Sequence, residues 1–211
     1  IPIAEEHNLI VPLTRHVIAE TIQQRHVFPM SSQFHIGINV AASHFRNGTL
    51  LKDLNQYWFS QHPIQQLVIE LTERDALLDV DYRVVRELNR LGVKLAIDDF
   101  GTGNSSLSWL EKLRPDVLKI NKSFTSAIGT DAVNSTVTDI IIALGKKLNI
   151  ELVAEGVETQ AQAQHLRRHG VHLLQGFLYA KPMPLRDFPK WLAGSTPPPA
   201  DRPAQNPDDL R

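Results

Sequence analysis

Six short apolar, β-rich runs, separated by helical stretches, restrict what this chain can fold into more than any other feature. The runs lie at 34–40, 66–71, 93–97, 115–120, 150–155 and 172–176. Between them, apolar residues at helical spacing predict helices at 80–91, closed by Gly92, at 105–113, at 132–148, and at 159–169, stopped by Gly170. A mixed polar helical segment precedes the turn at His62-Pro63. Residues 1–25 read as two helical pieces, with Leu9, Ile10, Leu13, Val17, Ile18 and Ile22 at helical spacing and Pro12 in the first turn of the second piece. Strands joined through helices pair in parallel, because a tight hairpin can only return the chain antiparallel. The expected class is therefore α/β, a parallel sheet covered by helices.

How the strands end chooses between a barrel and an open sheet. Each run closes on a residue that an apolar core would not select: Asn39, Glu70, Asp98 with Asp99, Lys119, Glu155 and Gln175. One such residue is explained by a strand end meeting water; six together point to a common site. In a barrel all strands end on one face and these groups converge, whereas an open doubly wound sheet brings together only those at its switch point. The expectation is a TIM-type (β/α)8 barrel. A complete one takes about 250 residues, and this chain has 211, shows six units and opens at Ile3-Ala4-Glu5-Glu6 as a helix already under way. The barrel is expected to occupy 1–194 and to be incomplete at its N-terminus, without its first strand or strands. From 195 to 211 the composition turns to Pro197-Pro198-Pro199 and polar residues, too few apolar groups to offset ordering entropy, so a disordered tail is expected.

The chemistry open to such a rim is limited by composition. At 42% hydrophobic and 21% charged, the chain suits one globular domain. Lys plus Arg is 22 against Asp plus Glu 23, so no bulk field attracts a nucleic-acid polymer or an anionic membrane. There is no Cys, which excludes thiolate catalysis and Cys-ligated metals. No apolar run approaches the roughly 20 residues of a membrane helix. A metal, if bound, is held by oxygen and nitrogen. Asp98 and Asp99 are adjacent carboxylates at the end of a buried strand, where mutual repulsion and lost hydration call for a positive charge, most simply a divalent ion. Side chains alternate along a strand, but at its end the backbone can turn both toward one site. An N-cap and turn is the plainer alternative for Asp before Gly. Carboxylates, an amide and a lysine suit magnesium, manganese or calcium. Two ions about 3.5–4 Å apart favour hydrolysis of phosphate esters. Lys119 would orient the nucleophile or offset phosphate charge, or else form a structural ion pair.

At this point the residues resemble a known family. Glu70-Leu71-Thr72-Glu73, Asp98-Asp99-Phe100-Gly101-Thr102-Gly103 with Ser105-Ser106-Leu107, Lys119-Ile120, Ala154-Glu155-Gly156-Val157-Glu158, and Gln175-Gly176-Phe177 followed by Lys181-Pro182 are similar, in order, to the EAL-domain cyclic-di-GMP phosphodiesterases, over about 1–192. The resemblance implies a modified TIM-type (β/α)8 barrel that hydrolyses cyclic di-GMP to linear pGpG with two magnesium or manganese ions. It implies that Asn39, Glu70 and Asp98 hold the first ion, and that Asp98, Asp99 and Glu155 hold the second. Lys119 would touch the water network, and Glu155 would act as general base. Glu73 would pin the loop after Asp99, Gln175, Phe177 and Pro182 would line the substrate side, and Glu158 would support the site. It further implies a homodimer through the loop and helix after Asp99, a parent protein carrying sensory or membrane segments, and a site on the cytoplasmic face of the inner membrane.

Three departures bear on the transfer. The Glu-Ala-Leu signature, with its metal-binding Glu and trailing Arg, would precede Ile1. Asn121 stands where the family usually has Asp, and Asn104 where it often has Tyr; both read as modulations, since neither is a ligand. Gly101-Thr102-Gly103 lacks the glycine spacing and Lys-Ser/Thr ending of a phosphate loop and reads as a hinge. His165 and His169 are four apart but lack the Glu of a zinc-protease helix, so the nine histidines read as surface residues. Trp58, Trp109 and Trp191 read as packing residues. The competing functions are a receptor that binds cyclic di-GMP without cutting it, an inactive truncated dimerisation module, and a metal-dependent barrel for enolate chemistry.

Overall fold

The computed structural model describes residues 2–77, 80–103, 108–130, 133–171 and 173–195. The expected tail beyond Ser195, the loop positions 104–107, Ala132 and His172 lie outside the described residues. The chain divides into two compact units, Ile1–Lys181 and Pro182–Arg211. In the second, a short turn at Leu185–Asp187 leads into the helix Phe188–Gly194, where the rings of Phe188 and Trp191 meet at 5.8 Å.

The first unit is built on one parallel sheet of six strands: β1 His35–Asn39, β2 Gln66–Thr72, β3 Lys94–Phe100, β4 Val117–Ile120, β5 Glu151–Ala154 and β6 Leu173–Leu174. Neighbour order follows chain order without a reversal. A doubly wound sheet must reverse at its switch point, so this sheet keeps winding in one sense, as the curled wall of a barrel does. The expected class stands.

Alternation along the strands divides them into two faces. One face, with Ile36, Ile38, Leu67, Ile69, Leu71, Leu95, Ile97, Leu118 and Ile120, packs under the helices in the main core, against Ile18 and Ile22 of helix Ile10–Gln23, Val84 and Leu88 of helix Tyr82–Arg90, and Leu110 and Leu113 of helix Ser108–Leu113. The opposite face carries a small separate apolar layer of Val68, Ala96 and Val117, with Val153 against it. Burial on both faces of β2, β3 and β4 explains why these three read as apolar runs, whereas β1 alternates between buried and exposed residues.

Boundaries differ from the sequence reading in three places. β3 continues through Asp98 and Asp99 to Phe100 instead of stopping at Ile97. β6 is reduced to two residues, although Gln175 still donates its N–H to Ala154 O at 2.8 Å. In the helix Ile10–Gln23 the buried face is Ile10, Thr14, Ile18 and Ile22, and Leu9, Leu13 and Val17 of the predicted stripe are exposed, because one helix face takes only one i, i+4 row.

The segment 42–61 coils into short helical turns that hold a buried polar cluster. Asp53 accepts from Arg15 Nε and from His44 Nε2, each at 2.9 Å. His44 is fully buried, and its Nδ1 has no hydrogen-bond partner. Burial outweighs the pull of Asp53 and lowers the pKa of this imidazole, keeping it neutral.

Candidate active site

The site follows from two-residue steps along the inner face of the sheet. Val68, Ala96, Val117 and Val153 form the apolar layer, and two residues further on the same face stand Glu70, Asp98, Lys119 and Glu155. On β1 the matching step runs from Gly37 to Asn39, which pairs in register with Glu70. The convergence expected at the carboxyl rim is therefore a layer of side chains above a layer of valines and alanine, as in the stacked interior of a barrel.

Lys119 is 5% exposed, and its ammonium joins the ring. Nζ lies 2.7 Å from Glu70 Oε2, 2.8 Å from Glu155 Oε1 and 3.2 Å from Asp98 Oδ2. Burial is the largest single influence on Lys119 and would lower its pKa, but the carboxylates together outweigh it and the amine is held charged. Burial raises the pKa of the Glu155 carboxyl, Lys119 partly offsets this, and Asp98 and Glu70 push it further up. With Asp99 nearby, four carboxylates face one ammonium, so the ring keeps an anionic excess.

Asp98 and Asp99 reach the same site through a β-bulge. Ile97 pairs with Leu118 and Phe100 with Ile120, so three steps on β3 oppose two on β4. Asp99 adopts φ +55°, a left-handed conformation that Asp tolerates better than most residues, and its N–H donates to Asp98 Oδ1 at 2.8 Å. The extra residue cancels the alternation that would otherwise turn one carboxylate away. One oxygen from each of Asp98, Asp99 and Glu155 lies within 4.8 Å of the other two. An all-oxygen, anionic set of this kind fits a hard divalent cation such as magnesium or manganese.

Supporting residues fix the bulge. Glu73, 4% exposed at the start of helix Glu73–Leu77, accepts from Gly101 N–H at 2.9 Å and from Gly103 N–H at 3.2 Å, which pins the loop after Asp99. Asn121 donates from Nδ2 to Asp99 Oδ1, while its own Oδ1 accepts from Ser123 N–H at 2.8 Å as the N-cap of helix Lys122–Thr125. An ionised Asp at this position could cap the helix but could not donate to Asp99. A cleft of about 710 Å³ opens beside Asp99, lined also by Thr72, Glu73, Arg74, Thr102 and Arg46.

The remaining sequence candidates are more dispersed. Gln175 continues the β5–β6 pairing, with its carbonyl accepting from Val157 N–H at 3.0 Å. Phe177 is 57% exposed, with Lys181 Nζ 5.7 Å from its ring centre. Pro182 opens the second compact unit. Glu158 stands exposed at the entry of helix Gln160–Arg168, where its N–H donates to Gln162 Oε1 at 2.9 Å, and no described contact joins it to the carboxylate ring. One residue that sequence reasoning missed is Gly37. A Cβ there would sit 2.1 Å from Glu70 Oε1 and 2.9 Å from Glu70 Cδ, so Glu70 lies across its neighbour strand only because position 37 has no side chain. The available signal was a glycine inside a strand, which marks close approach.

Comparison with known proteins places this geometry among relatives. The EAL domain family model matches residues 1–182. Probable cyclic di-GMP phosphodiesterase PdeD of Escherichia coli is 84% identical over 200 residues, covering 95% of this chain and 38% of that protein. Probable cyclic di-GMP phosphodiesterase PdeN of the same organism is 40% identical over 196 residues, covering 90% of this chain and 37% of that protein. The chain thus spans less than two fifths of the length of these two relatives. Among solved structures, the cyclic-di-GMP complex of the PaMucR phosphodiesterase superposes with a TM-score of 0.80 at 35% identity, over 88% of this chain and 77% of that one. The manganese and cyclic-di-GMP complex of Klebsiella pneumoniae BlrP1 gives 0.69 at 26% identity, over 83% of this chain and 44% of that one.

Proposed function

This chain belongs to the EAL domain family, and on that premise we propose that it is the catalytic domain of a phosphodiesterase that hydrolyses cyclic di-GMP to linear pGpG. The observation that carries the reading is the single ring formed by Glu70, Asp98, Lys119 and Glu155 at the carboxyl ends of four consecutive strands, with Asp99 turned in by the bulge. Two divalent ions, magnesium or manganese, would be held by Asn39, Glu70, Asp98, Asp99 and Glu155, and when bound they supply Lewis acidity toward the phosphate and a water of lowered pKa.

The chain's own residues do the rest. Glu155, whose carboxyl pKa is raised by burial, takes the proton of the attacking water. The water oxygen bonds to phosphorus, one ester P–O bond breaks, and the leaving alcohol oxygen takes up a proton, which opens the ring to the linear dinucleotide. Lys119, held charged, offsets the negative charge that grows on the phosphate oxygens. Gln175 and Phe177 line the substrate side, and Glu73 and Asn121 keep Asp99 in place. The same reading includes a homodimer through the loop and helix after Asp99, in a parent protein whose sensory or membrane segments leave this domain on the cytoplasmic face.

The test is to incubate the intact protein that carries this domain with cyclic di-GMP and magnesium and to follow pGpG by chromatography. Turnover that falls by about 10²–10³-fold or more in Asp98→Asn supports the reading, the loss expected when a group that acts on the transition state is removed. Tight binding with no pGpG formed would make the domain a receptor instead.

A further inference from the structure

Outside the carboxylate ring, a second group of ligand-type side chains lies between two surface helices. Asp139 belongs to the helix Val133–Leu148, His165 to the helix Gln160–Arg168, and His169 is the residue that closes the latter. His165 Nε2 lies 3.6 Å from Asp139 Oδ1. The two imidazoles stack at 4.2 Å between ring centres, inclined by 28°. One ligand atom from each of the three residues falls within 4.8 Å of the other two.

The hydrogen bonding selects a ligand tautomer. His169 Nδ1 lies 2.8 Å from the carbonyl oxygen of His165, which can only accept, so Nδ1 carries the proton and the lone pair is on Nε2. A ring whose other nitrogen donates to a backbone carbonyl is the usual state of a metal-bound histidine, with orientation and basicity already set. Histidines at i and i+4 share one face of a helix, and the third group comes from a different helix. Two imidazoles and one carboxylate are a donor set found in zinc sites whose fourth position is filled by a water. Tetrahedral bonds of about 2.0–2.1 Å require ligand atoms roughly 3.3 Å apart, a closure that rotation of these partly or fully exposed side chains can provide.

We propose that Asp139, His165 and His169 form a zinc site on the outer surface of the domain, and that the ion staples helix Val133–Leu148 to helix Gln160–Arg168. The carboxylate ring is built of hard oxygen donors, whereas this site offers nitrogen, so the two sites prefer different metals. The sequence reading treated both histidines as plain surface residues because the third ligand lies 26 positions upstream of His165 on another helix.

The experiment is a zinc titration of the whole protein in excess magnesium, followed by calorimetry and by the melting temperature, with cobalt as a spectroscopic probe of coordination. One equivalent of zinc is expected to bind the wild-type chain and raise its melting temperature, and cobalt is expected to give the visible absorption of a tetrahedral nitrogen and oxygen site. His169→Ala should abolish all three signals. Asp139→Asn, which keeps the shape of the side chain and serves if His169→Ala fails to fold, should weaken zinc binding by about tenfold or more. Equal zinc binding by wild type and His169→Ala would put the ion elsewhere and overturn the site. Undiminished affinity in Asp139→Asn would overturn the link between the helices.

Discussion

At the scale of single residues, the carboxylates and the lysine were legible because each ends an apolar run, and the reason is visible in the two-residue step that separates Val68 from Glu70, Ala96 from Asp98 and Val117 from Lys119. What sequence could not supply was distance across strands. Gly37 is the clearest case, since its role depends on where the Glu70 carboxylate lies and not on anything in its own neighbourhood. Gly37→Ala should displace that carboxylate and cost about 10²-fold in pGpG formation, the effect of roughly 1 Å of misplacement, while circular dichroism and melting temperature stay close to wild type because the displaced group is the end of a flexible side chain. Glu158 is the reverse case: its place in a motif singled it out, and the structure sets it exposed at the entry to a capping box.

At the scale of elements, the loop after Asp99 shows how one side chain sets the path of a segment. The Glu73 carboxylate receives two backbone N–H groups from the loop and comes from the helix that follows β2. Glu73→Ala should lower stability by about 1–3 kcal/mol through the loss of charge-assisted hydrogen bonds, measured by urea unfolding, and should reduce turnover more than it reduces substrate binding because Asp99 loses its orientation. Glu73→Gln should recover most of the stability, since an amide oxygen can still accept. Strand and helix order was readable because the apolar periods differ, 2 for strands and 3.6 for helices. The bulge in β3 was not, because a one-residue offset leaves hydrophobicity unchanged and shows only in the pairing of Ile97 and Phe100 with β4.

At the scale of the molecule, the barrel wall followed from chain-order neighbours, and its electrostatics make two further predictions. His44 is buried neutral, with its pKa below the ordinary value of 6.5. Below that value the unfolded chain takes up a proton that the folded chain resists, so this part of the stability is full above about pH 6.5 and is lost as pH falls through it toward the folded pKa. Melting temperature should therefore drop between neutral and mildly acidic pH, and His44→Gln, which keeps a donor for Asp53, should make the drop shallower. The second concerns Lys119, whose ammonium already touches three of the carboxylates. This amine acts as a resident counter-ion, so the acidic wall can assemble before any metal reaches it. A chelator should therefore stop turnover and leave the melting temperature within a few degrees of its starting value, unlike a zinc finger, whose fold is lost with its ion. Lys119→Met should reverse that independence, giving a domain whose folding waits on the divalent cation.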